Sequence, residues 1–352
     1  MAYFGSKIQQ TMKTIHWKGI GLGLAVLLAS CETKKNSGSI SEQAATQNTI
    51  QLKKAPIFEA DSAYAFVQKQ VSFGTRVPNT PPHVACGNYL AATLKQYGWQ
   101  VTEQPFEAKA FDGTVLKSKN IFAAWNPSAT KRILLAAHWD TRPFADQEKD
   151  ATKHKTPIDG ANDGASGVAV LLEIARTVAA SKEIPLEVGI DILLLDSEDY
   201  GQPEGTNSAD YKQDTWCLGS QYWANNKHQA NYGAYYGILL DMVGGMNAKF
   251  YQEQQSMKYA PSVVQQVWQI GQQLGYGQYF ITQSSEPIID DHIYINNIAR
   301  IPMIDIIHYD PSDGNYFQND WHTLNDNIKI IDKQTLKAVG QTVLQTLYNE
   351  TK

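Results

Sequence analysis

The sequence predicts an α/β fold: one globular domain with a central, mostly parallel mixed β-sheet flanked by helices, and a functional site at the C-terminal ends of the strands. Continuous apolar runs at 132–137, 186–195, 234–240 and 302–307 read as strands buried on both faces. Helical spacing of apolar residues recurs between and after them, at 167–179, 263–274 and 333–347. Polar residues collect just after the runs: His138-Trp139-Asp140, Asp196-Ser197-Glu198-Asp199, Asp241, then His308 and His322. Open α/β sheets bind ligands at those strand ends.

Upstream, residues 60–71 and 85–97 carry helical patterns, with a Gly-Thr-Arg-Val-Pro loop between them, and 99–106 reads as a strand. The catalytic domain is expected over 57–352. Residues 31–56 are rich in Ser, Thr, Gln, Asn and Lys and read as a flexible tether. Residues 1–30 have the form of a secretory signal. Lys7, Lys13 and Lys18 precede an apolar run at 20–29 that is too short to span a bilayer. Met12 is an alternative start. Leu28-Ala29-Ser30-Cys31 resembles a bacterial lipobox, which implies lipidation of Cys31. The expected location is a bacterial cell envelope, with the domain facing the periplasm or the surface and touching membrane only through its lipid.

The composition, 43% hydrophobic and 18% charged over 352 residues, is that of a globular chain. Without residues 1–30 the chain has 27 basic side chains against 35 acidic, a net of −8, which argues against a nucleic-acid partner. A heptad pattern for a coiled coil is absent, so a monomer is expected. With Cys31 spent on lipid, Cys86 and Cys217 are open to a disulfide or to two free thiols.

The polar residues at the strand ends have the types that bind zinc. His138, Asp163, Asp199, Asp241 and His322 are candidate ligands. Asp163 lies in Gly160-Ala161-Asn162-Asp163-Gly164-Ala165-Ser166-Gly167, a loop of small residues before a helix that lets backbone approach an ion. Glu198 and Asp199 are adjacent acids at the end of an apolar strand. Their repulsion and desolvation are offset by a cation, with one acid binding it and the other free to move protons.

Taken in order, His138-x-Asp140, the Asp163 loop, Glu198-Asp199, Asp241 and His322 resemble the zinc aminopeptidases of the co-catalytic type. Gly74 to Pro78 is similar to their N-terminal region, and the resemblance covers residues 58–350. Asp290-Asp291-His292-Ile293, Asp320-Trp321-His322-Thr323 and His138-Trp139-Asp140-Thr141-Arg142 resemble the glutaminyl cyclases of that superfamily. That resemblance implies one zinc per chain held by Asp163, Asp199 and His322, with Glu198 as proton shuttle. Asp241 and Asp290 would form an acid network beside Glu198, and Trp321, Phe317 and Trp139 would meet the substrate. The substrate implied is a peptide or protein with an N-terminal glutamine, converted to pyroglutamate with release of ammonia. The sequence departs from the family where Asp199 replaces a common Glu, and where Asp305 stands at the position of a His in animal cyclases.

A two-zinc aminopeptidase is the main alternative. Its second ion would use His138 and Asp241, with Asp163 bridging. A non-catalytic binding ectodomain is the third reading; it requires broken motifs, and Glu198 and the three ligands are intact.

Overall fold

A computed structural model describes residues 49–183, 185–203, 206, 209–312 and 316–351. The signal segment and the lipidation candidate Cys31 lie outside them. Helix α1 (Ala60–Val71) falls where its apolar spacing places it. Helix α2 (Pro81–Gln96) begins earlier than its apolar pattern does. Thr80 accepts the His83 N–H through its side chain, and Pro81 and Pro82 fill the first turn, where no N–H donor is needed.

Strands β1 (Gln100–Lys109) and β2 (Val115–Trp125) form an antiparallel hairpin, registered from Gln100 opposite Ala124 to Lys109 opposite Val115. β2 carries no continuous apolar run in its first half. There it alternates exposed and buried positions, because only one face of the hairpin is covered. Next come β3 (Arg132–His138), α3 (Ala165–Ala180), β4 (Gly189–Leu195), α4 (Leu218–Asn225) and β5 (Tyr236–Asp241). After these follow β6 (Phe250–Gln252), α5 (Gln254–Tyr259), α6 (Pro261–Gln273) and β7 (Phe280–Ser284), then α7 (Asp291–Tyr294), β8 (Met303–Ile307) and α8 (Lys333–Asn349).

The main sheet has the order β1-β2-β4-β3-β5-β8, while β6 and β7 pair separately. β4, β3, β5 and β8 run parallel; β2 is antiparallel to β4, and the edge strand β1, antiparallel to β2, runs in the direction of the core strands. Parallel pairing brings His138 level with Leu195 and Asp241 level with Ile307, so the polar residues after each strand gather along one edge.

The two-residue period of the strands sorts the core. Ile133, Leu135 and Ala137 join Ile192, Leu194, Ile238 and Leu240 under the helices α1, α3, α6 and α8. Leu134, Ala136, Leu193 and Leu239 face the other way, toward Trp223 of α4. Helix α3 is buried on every side from Ala165 to Ala175, as a helix between a sheet and an outer helical layer must be. Its first turn touches the sheet: a Cβ on Gly167 would lie 2.2 Å from the Leu240 carbonyl oxygen. Part of the stretch read as tether is bound to the domain. Gln345 donates to the Lys53 carbonyl at 2.7 Å and Gln341 to that of Pro56 at 3.0 Å, both from α8.

On the α4 side His228 stacks on Phe122, with ring centroids 3.5 Å apart, and leans on Tyr232. Burial, then the Arg132 and Lys227 charges, pushes it down to about 4. The unfolded chain therefore takes up this proton first, and stability falls as pH drops from about 6.5 toward 4. His228→Phe is expected to abolish about 1 kcal/mol of that fall, a figure reduced because the ring is partly exposed. Denaturant unfolding of both proteins at pH 7.5 and pH 5 reads the difference.

Candidate metal centre

Tight turns after β3, β4 and β5 build the centre. Asp140, just after β3, accepts the backbone N–H of Glu198 at 3.1 Å and of Asp199 at 3.2 Å. Those bonds hold the turn after β4, where Ser197 sits at φ 55°. A left-handed serine is costly and persists because Asp140 and Asp196 fix the residues around it. Asp326 does the same for the loop before α3, accepting Asn162 N–H at 2.7 Å and Asp163 N–H at 3.0 Å. Burial and the Asp163 charge push Asp326 up to about 8, against the pull of those two bonds. His322 has φ 54°, a second strained residue at the same place.

Asp163, Asp199 and His322 meet there, and one ligand atom from each lies within 4.8 Å of the others. His322 Nε2 is 3.5 Å from Asp163 Oδ2 and 3.3 Å from Asp199 Oδ1. All three side chains are buried, and among the described residues neither oxygen of Asp199 has a hydrogen-bond partner. Burial, then the Asp163 charge, pushes the Asp199 carboxyl well above its ordinary range. A cation between the two acids removes that penalty, so this donor set fits zinc. His322 is held down near 4 by burial and the Arg142 charge, which leaves a neutral imidazole with a lone pair to give.

Asp163 also turns its other oxygen to a second group. His138 Nε2 lies 3.0 Å from Asp163 Oδ1 and 3.2 Å from Asp241 Oδ1. Burial disfavours the His138 imidazolium, but Asp140, Asp163 and Asp241 outweigh it and hold the ring well above its ordinary value.

Glu198 lies beside the first group, buried, with Cys217 Sγ 3.2 Å from its Oε1. Ligand-type atoms of Glu198, Cys217 and Asp290 lie within 4.8 Å of one another, as do those of Asp290, His292 and Asp305. Burial raises Glu198 well above the carboxylate range. His138 opposes this, and Asp290, Asp291 and Asp241 reinforce it. Asp241 is pushed up to about 7, by burial first and by Asp290 among its neighbours. Asp290, Asp291 and Asp305 are also raised, each by burial above all. So many acids in so little water hold shared protons.

Trp321 stacks on the His322 ring at 3.8 Å, and Phe317 leans on Trp321 at 5.1 Å. With Met242, Ile288 and Tyr309 they form a small apolar cluster beside the polar one. Trp139 is not brought to this place. It is wholly buried, stacked on His83 of α2 at 4.4 Å, with its indole N–H on the Lys119 carbonyl. It has no surface to offer a substrate, and its role is core contact. Cys86 and Cys217 are both free and buried. Trp216, Asp146 and Asp326 carry no mark as site residues in the sequence, and Cys217 is marked there only as a thiol. No strand-end pattern marks them; only spatial proximity does.

Residues 120–347 match the model of peptidase family M28. A glutaminyl cyclase from Bacteroides thetaiotaomicron, solved with N-acetylhistamine, is 53% identical. The match covers 85% of this chain and 100% of that one, with a TM-score of 0.81. A zinc-dependent exopeptidase from Parabacteroides distasonis is 52% identical over 84% of this chain and 100% of that one, with a TM-score of 0.82. Among curated relatives, the glutaminyl-peptide cyclotransferase of Gloydius blomhoffii is 25% identical over 298 residues, 78% of this chain and 77% of that one.

Proposed function

The chain belongs to peptidase family M28, as a glutaminyl-cyclase-like enzyme with a buried metal-binding cluster, and within that family we propose that it is a zinc-dependent glutaminyl-peptide cyclotransferase. It converts the N-terminal glutamine of peptides and proteins to pyroglutamate and releases ammonia. The observation that carries this reading is Glu198. It is buried next to the Asp163–Asp199–His322 triad and backed by Asp290, Asp291 and Asp241, acids beyond those needed to grip one ion.

Asp163, Asp199 and His322 would hold one zinc, which when bound would supply Lewis acidity toward the γ-carbonyl of the glutamine side chain. Trp321, with Phe317 behind it, gives a flat wall that folds the glutamine back on its own α-amine and keeps water out. The amine nitrogen closes on the γ-carbon and gives its proton to Glu198. As the carbon–nitrogen bond to the side-chain amide breaks, Glu198 returns that proton and ammonia leaves. Asp290 and Asp241 share protons with Glu198 and set how readily it takes and gives one. Cys31 carries the lipid that ties the enzyme, a monomer, to the bacterial envelope.

The second reading is a two-metal exopeptidase. His138, Asp163 and Asp241 favour it, with ligand atoms within 4.8 Å of one another and Asp163 shared between both groups. Parallel incubation of peptides beginning with Gln and with Leu separates the two. The cyclase releases ammonia from the Gln peptide, cuts no peptide bond and leaves the Leu peptide intact. Release of free amino acids from either peptide overturns the proposal.

A further inference from the structure

Arg142 is wholly buried, and its guanidinium grips one carboxylate with a fork: Nε to Asp146 Oδ1 at 2.6 Å and Nη2 to Asp146 Oδ2 at 2.7 Å. Its remaining nitrogen donates to the carbonyls of Asp199 at 2.9 Å and Gly201 at 3.2 Å. The guanidinium lies over the Trp216 ring at 4.4 Å. Trp216 in turn lies nearly parallel to the His322 ring, 6° apart with centroids at 5.8 Å, while Trp321 covers His322 at 3.8 Å. The two indoles fix the plane of the imidazole and leave one freedom, which nitrogen carries the proton.

Asp146 addresses that freedom. Its Oδ1 is the carboxylate oxygen 3.4 Å from His322 Nδ1, an ion-pair distance, and among the described residues Nδ1 has no hydrogen-bond partner. The same loop is fastened to the backbone around the histidine. Gln147 N–H donates to the His322 carbonyl at 3.2 Å, and Glu148 Oε1 accepts Leu324 N–H at 3.0 Å. An Arg–Asp pair buried this deeply gains little stability over apolar residues of the same size. It does keep a carboxylate ionised and aimed at one ring nitrogen.

We propose that Asp146, braced by Arg142, is a positioning residue for the metal centre: it draws the His322 proton to Nδ1 and so leaves the Nε2 lone pair facing Asp163 and Asp199, where zinc binds. This rests on the reading of His322 as a zinc ligand.

Asp146→Asn tests it. An amide must turn its NH2 either toward Arg142 Nε and His322 Nδ1 or toward Arg142 Nη2. In both cases His322 loses the negative partner that favours the Nδ1–H form. Zinc affinity, measured by competition with a chromogenic chelator, is expected to fall ~10–100-fold. Activity should return to within a few-fold of wild type when zinc saturates. His322→Ala serves as control. If His322→Ala binds zinc as wild type does, the ligand reading fails. If His322→Ala loses zinc and Asp146→Asn does not, the Asp146 proposal alone fails. A second measurement needs no variant. Imidazole nitrogen NMR of the zinc-loaded wild-type protein should show His322 protonated at Nδ1 and binding metal through Nε2, and binding through Nδ1 overturns the proposal even if Asp146→Asn does not fold.

Discussion

Glu198→Gln is expected to bind zinc as wild type does and to lose turnover by ~10²–10⁴-fold, the range that a general acid–base residue contributes. The amide keeps the shape of the acid and still accepts from Cys217, so the neighbouring Asp199 stays in place. It cannot take the amine proton or return it. The loss should appear in kcat, with KM little changed, because Glu198 acts on the reaction rather than on the resting substrate. Stability should move the other way. Burial and the surrounding acids favour neutral Glu198 in the folded, metal-free protein, where glutamine matches it. A bound cation would instead favour the ionised form that takes the amine proton. Without metal, the variant should therefore melt no lower than wild type at neutral pH. Steady-state kinetics, zinc content and a melting curve together check this. Unchanged turnover would remove Glu198 from the mechanism.

His322→Ala carries the other large effect. It deletes the nitrogen ligand and leaves Asp163 and Asp199 facing each other in a buried space. Zinc affinity should fall by more than the ~10–100-fold that a lost outer partner costs, and activity should fall with it. Trp216 and Trp321 both stack on this ring, so intrinsic fluorescence should change as well. The zinc-dependent part of the fluorescence signal should vanish in the variant. A variant that binds zinc and turns over normally would contradict the assignment of this ligand.

The strands of the parallel core were legible because burial on both faces demands uninterrupted apolar runs, and 132–137 and 302–307 are such runs. The hairpin strand β2 was not, because a one-sided strand carrying Lys117, Lys119 and Asn120 has the pattern of a loop. Position at a strand end or in a loop marks His138, Asp163, Asp199, Asp241 and His322 alike; only the family resemblance singles out Asp163, Asp199 and His322, and the fold brings those three together. Trp139 and Trp321 show where that reading stops. Each indole sits beside a histidine in sequence, yet one packs between α2 and β2 and the other covers His322. The direction of a side chain after a strand depends on the backbone turn, and the residue type does not encode it. Asp146 and Cys217 belong to the same class, since each touches a site residue far from it in sequence. The contacts that precede residue 57 are hidden in the sequence for a related reason. Residues 51–56 are polar and look like linker, but their backbone groups are bonded by glutamines of α8.

Anomalous diffraction at the zinc edge, from crystals grown with the metal, tests the central claim most directly. The expected result is one peak per chain, ~2.0–2.2 Å from His322 Nε2 and from one oxygen each of Asp163 and Asp199. A peak of equal height between His138, Asp163 and Asp241, or no peak at the first position, would contradict it.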